Sequence, residues 1–180
     1  MKELFDRVDE NDRVIGVTTK DEAYQYGYVH RVSAIFVFTH DGKLLVQLRK
    51  DDHLLDHSAA GHVSKGESYD SAAMRELEEE TGLKRQLEKI GVFYADERVP
   101  TRPEKQMVHY FGLYETMLTD EEYTKIRIQK DEVIALTPMV IPDIIGMMRK
   151  EPNKFTVGFQ FTLNFYITKK GLGIPLVDIQ

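Results

Sequence analysis

Residues 61–83 read Gly-His-Val-Ser-Lys-Gly-Glu-Ser-Tyr-Asp-Ser-Ala-Ala-Met-Arg-Glu-Leu-Glu-Glu-Glu-Thr-Gly-Leu, and the punctuation of this stretch dictates a loop that feeds a helix. Ser68 has the side chain of an N-cap, a hydroxyl that accepts a hydrogen bond from a first-turn N–H lacking a helical partner. Asp70 adds negative charge where the helix dipole favours it. Gly82 supplies the left-handed residue that ends the helix. Between these ends Glu76, Glu79 and Glu80 stand at i, i+3 and i+4, so their carboxylates leave one face about a turn apart. Ala72 and Ala73 fall on the same side without bulk, while Met74, Leu77 and Thr81 form a neighbouring stripe suited to packing on a sheet. Arg75 precedes Glu79 by one turn, within reach of a charge-assisted hydrogen bond that fixes the carboxylate.

Carboxylates clustered this closely repel one another unless a cation neutralises them. Hard oxygen donors with room for water suit Mg²⁺, with Mn²⁺ as a substitute. A diphosphate is the natural ligand of such a cation, which bridges phosphoryl oxygens, stabilises charge as a P–O bond breaks and activates a water for attack. An isolated Glu-Glu-Glu run is usually a solvated acidic face. The full spacing around this one selects the metal-site reading.

The rest of the chain supplies strands. After the turn signal Glu10-Asn11-Asp12, 13–19 reads as a first short strand, whereas 21–28 is polar with no clear period. The β-branched and apolar runs 29–39 and 43–49 are joined by His40-Asp41-Gly42, a hairpin signal. Further strands are expected over 87–94 and 107–117, separated by a polar, proline-containing loop at 96–105, and over 133–136. Pro142 fits the first turn of a helix running to about Arg149, and 159–168 is assigned as helix. This order predicts one α+β domain over 1–180, an α/β/α sandwich with a mixed sheet between helices and no linker or repeat. At 180 residues the chain can bury a real core. A net charge of −6 argues against a polymeric nucleic acid or an anionic membrane as partner. The absence of cysteine excludes disulfides, thiolate metal sites and cysteine nucleophiles. No signal-peptide core and no apolar run of about 18 residues is present, so a cytoplasmic protein is expected.

The run 61–83 resembles the signature of the Nudix family: a Gly, five residues, a Glu, seven residues, then Arg-Glu-aliphatic-x-Glu-Glu-x-Gly-aliphatic. Gly61, Glu67, Arg75, Glu76, Leu77, Glu79, Glu80, Gly82 and Leu83 fill those positions in order. The resemblance implies the Nudix fold with its loop-helix-loop catalytic motif. It implies a Mg²⁺-dependent hydrolase that cleaves a diphosphate linkage in a nucleoside-diphosphate-type or related small-molecule substrate by water attack on phosphorus. Glu76, Glu79 and Glu80 would be the principal metal ligands, with Gly61 and Glu67 beside them, and Arg75, Glu79 and Glu80 would be catalytic.

Three further segments, beginning Phe5-Asp-Arg-Val, Gly27-Tyr-Val-His and Leu45-Val-Gln-Leu, are similar to the Nudix branch related to isopentenyl diphosphate isomerase. The isomerase would hold a metal with two histidines and glutamates, and move protons on carbon with a cysteine and a glutamate. His30, His62 and Glu104 match metal positions. Ala60 and Gln106 stand where the proton-moving pair would be, and neither can exchange a proton with an alkene. The intact helix acids and the missing pair favour hydrolysis over isomerisation. A catalytically idle nucleotide-diphosphate-binding module is the remaining alternative, against which the intact carboxylates argue.

Outside the helix, Glu67 is expected to brace the loop and to contact metal occasionally. His62, Lys65 and Glu104 are candidates for touching substrate, against the plainer roles of loop hydrogen bonding and solvation. His30, in an apolar strand, reads as a satisfied structural histidine. Tyr24, Tyr26 and Tyr28 alternate as on one side of a strand, which suggests core packing or a homodimer contact. The family implies a general base outside the signature; of Glu97, Glu104 and Glu132, the last is preferred, and Glu80 is an alternative through a metal-bound water.

Overall fold

Among the residues described by the computed structural model, 2–98 and 106–179, the chain runs β1 (Leu4–Val8), β2 (Val14–Thr19), α1 (Lys20–Tyr26), β3 (His30–Phe38), β4 (Leu44–Arg49), β5 (Leu55–Asp56), β6 (Ala59–His62), α2 (Tyr69–Thr81), β7 (Glu88–Asp96), β8 (Val108–Met117), α3 (Asp120–Tyr123), β9 (Val133–Met139), α4 (Ile141–Lys150) and α5 (Val157–Lys170). β1 and β2 pair as a separate antiparallel ribbon; the main sheet has the order β5-β4-β3-β8-β7, with β6 added to β3 and β9 to β4. β3 and β8 are parallel, in register from His30 opposite His109 to Phe38 opposite Met117, and the other pairings are antiparallel.

β3 is apolar on both faces, as a strand covered on both sides must be. Val32, Ala34, Phe36 and Phe38 pack with Ile144, Met148, Phe159 and Leu163 of α4 and α5. Ile35 and Val37 pack on the opposite face with Ala73 and Leu77 of α2. The expected α/β/α sandwich with a mixed sheet results. No helix among the described residues is long and apolar enough to cross a membrane.

The feature that creates room for a site is a fork in this sheet. The turn at His40-Asp41-Gly42 holds β3 and β4 together only at Phe38 opposite Leu44. Beyond it the strands diverge, and β6 takes β3's free edge from Ile35 opposite Ala59 to Val32 opposite His62. Ser58 fills the crotch, fully buried: its N–H donates to the Ile35 carbonyl (3.1 Å), and its hydroxyl accepts from the Val37 N–H (2.9 Å) and donates to the Leu45 carbonyl (2.6 Å). These bonds satisfy backbone groups that the diverging ladder leaves open.

Several local expectations are corrected. The segment after β2 is helical, not patternless: Thr19 and Glu22 form a capping box and Gly27 closes α1 in the left-handed region. Tyr24 and Tyr26 therefore lie on a helix, not alternating along a strand. β1 was not anticipated, and β9 runs three residues further than expected, to Met139. Met74 is exposed, because α2 turns Ala73 and Leu77 to the sheet and position 74 lies a further 100° round the helix.

Candidate active site

α2 begins and ends as its sequence demands. The Ser68 hydroxyl accepts from the Ser71 N–H (3.1 Å), and Gly82 adopts φ 73° while its N–H donates to the Glu78 carbonyl (2.8 Å). Ala72, Ala73 and Leu77 let the helix sit close on the sheet, so the neighbouring acids enter the fork between β4 and β6. Glu80 is buried there, accepting from Gln47 Nε2 of β4 and, at 3.4 Å, from the Ala60 N–H of β6. Glu76, also buried, presses against Gly61: a Cβ at that position would lie 2.0 Å from Glu76 Oε1. Only glycine allows this approach. Glu79, one turn on, is about half exposed, with 52% of its side chain accessible.

Arg75 ties the loop to the helix. Its Nε and Nη2 donate to the two oxygens of Glu67 (3.1 and 3.0 Å), Nη1 donates to Glu76 (2.5 Å) and Glu79 (3.2 Å), and Nη2 also donates to the His62 carbonyl (3.0 Å). Glu67 accepts in addition from the Ser64 N–H (3.0 Å). A planar fork with five donors suits this many fixed acceptors. Glu67 thus braces the loop, and the Arg75–Glu79 bond forms as its spacing suggests.

Burial makes these carboxylates costly. It pushes Glu76 up to about 7 against the opposing pull of Arg75, and Glu80 up to about 8 against the hydrogen bond from Gln47. A divalent cation between Glu76, Glu79 and Glu80 would restore their ionised forms, and an all-oxygen set open to water at Glu79 fits a hard ion such as Mg²⁺. The residues therefore fit the metal that the sequence implies.

The other candidates divide. Glu132 is exposed just before β9, near enough for its charge to raise Glu76 further, and accepts from Gln129 Nε2 (3.2 Å). Glu97 is not in a free loop; it is buried at the end of β7 and bonded to His109 Nδ1. Glu104 lies outside the described residues. Lys65 is exposed, its backbone N–H donating to the Leu4 carbonyl (2.7 Å). His62 places its ring in an aromatic cluster, 4.6 Å from Phe5 and 5.2 Å from His30, with Nε2 3.0 Å from the Tyr24 hydroxyl. Gln106 donates its backbone N–H to the Tyr24 carbonyl (2.9 Å). Sequence reasoning missed Gln47 and His109, and gave Tyr24 only a packing role where it bonds to His62. Each arrives from a different element, and no local spacing announces it.

The NUDIX domain model matches residues 28–155, a span that contains the fork, α2 and the whole carboxylate cluster. The chain belongs to the Nudix family. An isopentenyl-diphosphate Delta-isomerase from Serratia proteamaculans is 31% identical over 166 residues, covering 88% of each chain. An uncharacterized Nudix hydrolase from Clostridium acetobutylicum is 30% identical over 170 residues, covering 88% of this chain and 80% of its own. Among solved structures, a Deinococcus radiodurans protein superimposes with a TM-score of 0.66 at 21% identity, covering 81% of this chain and 88% of that one. At that identity the likeness establishes the fold alone. Nudix membership thus coexists with sequence relatives of two chemistries, hydrolysis and isomerisation.

Proposed function

We propose that this Nudix protein is a Mg²⁺-dependent hydrolase that cleaves a diphosphate linkage in a nucleoside-diphosphate-type or related small molecule, with water attacking phosphorus. The observation that carries this reading is the disposition of the three helix acids: Glu76 and Glu80 buried in the fork at raised pKa, Glu79 reaching solvent, and Arg75 locking two of them. Mg²⁺, or Mn²⁺ in its place, would be held by these carboxylates beside Gly61 and would supply charge neutralisation for the phosphates and an activated water. Arg75 fixes the ligand rotamers through hydrogen bonds already formed. Glu132, whose charge reaches Glu76, is assigned as the base that takes a proton from the attacking water, with Glu80 as the alternative base. Lys65 and His62 flank the loop from which phosphate oxygens would be reached.

The test is release of phosphate or monophosphate from nucleoside diphosphates, triphosphates, nucleotide sugars and dinucleotides with Mg²⁺, beside Glu79→Gln. At least one substrate should turn over, and the variant should lose about 10²-fold or more, because it removes a charge the cation needs and adds no bulk. Equal turnover by wild type and variant would sink the assignment.

A second reading, isomerisation of isopentenyl diphosphate, is favoured by relatives that bear that name. Ala60 and Gln106 oppose it, having no group that transfers a proton to carbon. Incubation with isopentenyl diphosphate in D₂O should leave carbon undeuterated; detectable allylic product reverses the ranking.

A further inference from the structure

The β1–β2 ribbon stands apart from the main sheet, yet it is stitched to the loop that leads from Gly61 into α2. Phe5 forms an antiparallel bridge with Ser64, and the Leu4 carbonyl accepts from the Lys65 N–H (2.7 Å). Beside these contacts Asp6 is buried, and its Oδ2 accepts from the Gly66 N–H (2.9 Å), 60 residues away in the chain. Among the described residues no lysine or arginine pairs with this carboxylate. A buried acid is costly unless hydrogen bonds offset its desolvation, so the bond to Gly66 is what an acid at this position accomplishes.

That bond holds a peptide plane. Ser64 to Glu67 make a tight turn, closed by the Glu67 N–H on the Ser64 carbonyl (2.9 Å). Gly66 has φ 75° and Lys65 does not share the positive φ, which is the pattern of a type II turn with glycine in its third position. Types I and II differ by a half-rotation of the central peptide, here Lys65–Gly66. In the type II form Asp6 meets the Gly66 N–H. In the type I form it would meet the Lys65 carbonyl, oxygen against carboxylate. The charge-assisted bond therefore selects type II. The turn then places Glu67, which accepts from the Ser64 N–H and from Arg75, and Arg75 donates to Glu76 and Glu79.

We propose that Asp6 is a positioning residue of the catalytic centre: by selecting the type II form of the Ser64–Glu67 turn, it sets the brace that holds Glu76 and Glu79 ready for a divalent cation. The proposal rests on the reading of the helix acids as a metal centre. Asp6 lies outside residues 28–155, so this support for the catalytic loop comes from beyond the matched domain.

The test uses full-length, metal-free protein labelled with ¹⁵N. Hydrogen exchange of the Gly66 amide and of the Arg75 Nε–H is followed by NMR, and Mn²⁺ affinity is read from the paramagnetic resonance of the free ion. Asp6→Ala should speed both exchanges, leave the β3 amides at wild-type rates, and weaken Mn²⁺ binding about 10-fold, the lower end of what outer partners of a metal site contribute. Asp6→Asn keeps the shape but can donate to a flipped Lys65 carbonyl as readily as it accepts from Gly66. It should move both readouts in the same direction, and it decides the matter where Asp6→Ala loses its native circular dichroism. Gly66→Ala should do likewise, since a Cβ there meets nothing within 4 Å and only the positive φ is strained. Val17→Ala is the control: Val17 is exposed opposite Asp6 on β2, so the change loosens the ribbon without touching the carboxylate, and both readouts should stay at wild-type values. Unaltered Arg75 exchange in the folded Asp6 variants, a Val17→Ala effect equal to theirs, or faster Arg75 exchange with undiminished Mn²⁺ affinity overturns the proposal. Absence of Mn²⁺ binding in the wild type instead overturns the metal centre of the hydrolase reading, and the exchange rates alone then decide whether Asp6 sets the brace.

Discussion

Removing divalent metal should make this protein less stable as the pH rises through neutrality, the reverse of ordinary acid denaturation. In the unfolded chain Glu76 and Glu80 titrate near 4.5; folded and metal-free they titrate at about 7 and about 8, because burial penalises the charged form. A folded state that holds protons more tightly is stabilised below the unfolded value and loses that stabilisation as pH climbs through the folded one. His30 and His62 act in the opposite sense. Burial lowers both, His30 to about 3, so stability falls as pH drops below the unfolded histidine value of 6.5. Above about pH 6.5 the two acids therefore dominate. At ~1.4 kcal/mol per pH unit, the loss from pH ~6.5 to ~8.5 is about 1 kcal/mol for Glu76 and about 2 for Glu80, and the histidines return under about 1. The net fall is about 2 kcal/mol, which for a chain of this size lowers Tm by roughly 4–8 °C.

The assay is thermal unfolding in EDTA at several pH values across that window, repeated with saturating Mg²⁺. Mg²⁺ should raise Tm most at the alkaline end, where it displaces no protons from the acids, and least at the acid end, where it must. A Glu76→Gln, Glu80→Gln double variant should lose the fall in EDTA. A metal-free profile that is flat or rising from pH ~6.5 to ~8.5 in the wild type would refute the reasoning, since it would mean that the buried acids do not carry the protons that their environment demands.

Other perturbations give sharper local readings. Glu80→Gln should abolish most turnover yet stabilise the metal-free protein near pH 9 by about 1–3 kcal/mol, since a neutral isostere escapes the cost of a buried charge; denaturant titration in EDTA measures it. Gly61→Ala should cost about 10²-fold in turnover, because the new Cβ would meet Glu76 Oε1 at 2.0 Å and displace that carboxylate; kinetics beside circular dichroism distinguishes this from unfolding. Ser58→Ala should destabilise by about 1–3 kcal/mol in urea, because it orphans the Val37 N–H and the Leu45 carbonyl bond in the crotch of the fork.

Much of the fold was legible because its signals are short-range. Ser68 and Gly82 bracket α2 within fifteen residues, Asp41-Gly42 marks the turn between β3 and β4, and Pro142 opens α4. The same local grammar announced α1 through Thr19, Glu22 and Gly27, and the alternation of three tyrosines masked it. The fork was not legible. A hairpin signal says that two strands meet, but not that they part after one residue pair; that depends on Ser58 and on β6 competing for β3's edge.

The same division separates the carboxylate cluster from the histidine cluster. Glu76, Glu79 and Glu80 converge because helical periodicity brings positions three and four apart onto one face, so spacing alone reveals them. Arg75 is legible for the same reason, being one turn from Glu79. His30 and His109 are 79 residues apart and converge only because β3 and β8 are parallel in one particular register. A shift of one residue would turn His109 to the opposite face and leave Glu97 without it. Taken singly, each histidine has a bland explanation: an apolar strand, a loop, a polar edge. What brings them together is the conjunction of two bonded rings, His30 Nδ1 on the Tyr28 carbonyl and His109 Nδ1 on the Glu97 carboxylate, that leaves their Nε2 atoms face to face. Sequence spacing cannot express that conjunction, because the Tyr28 carbonyl and the Glu97 carboxylate that set it reach the rings through tertiary packing.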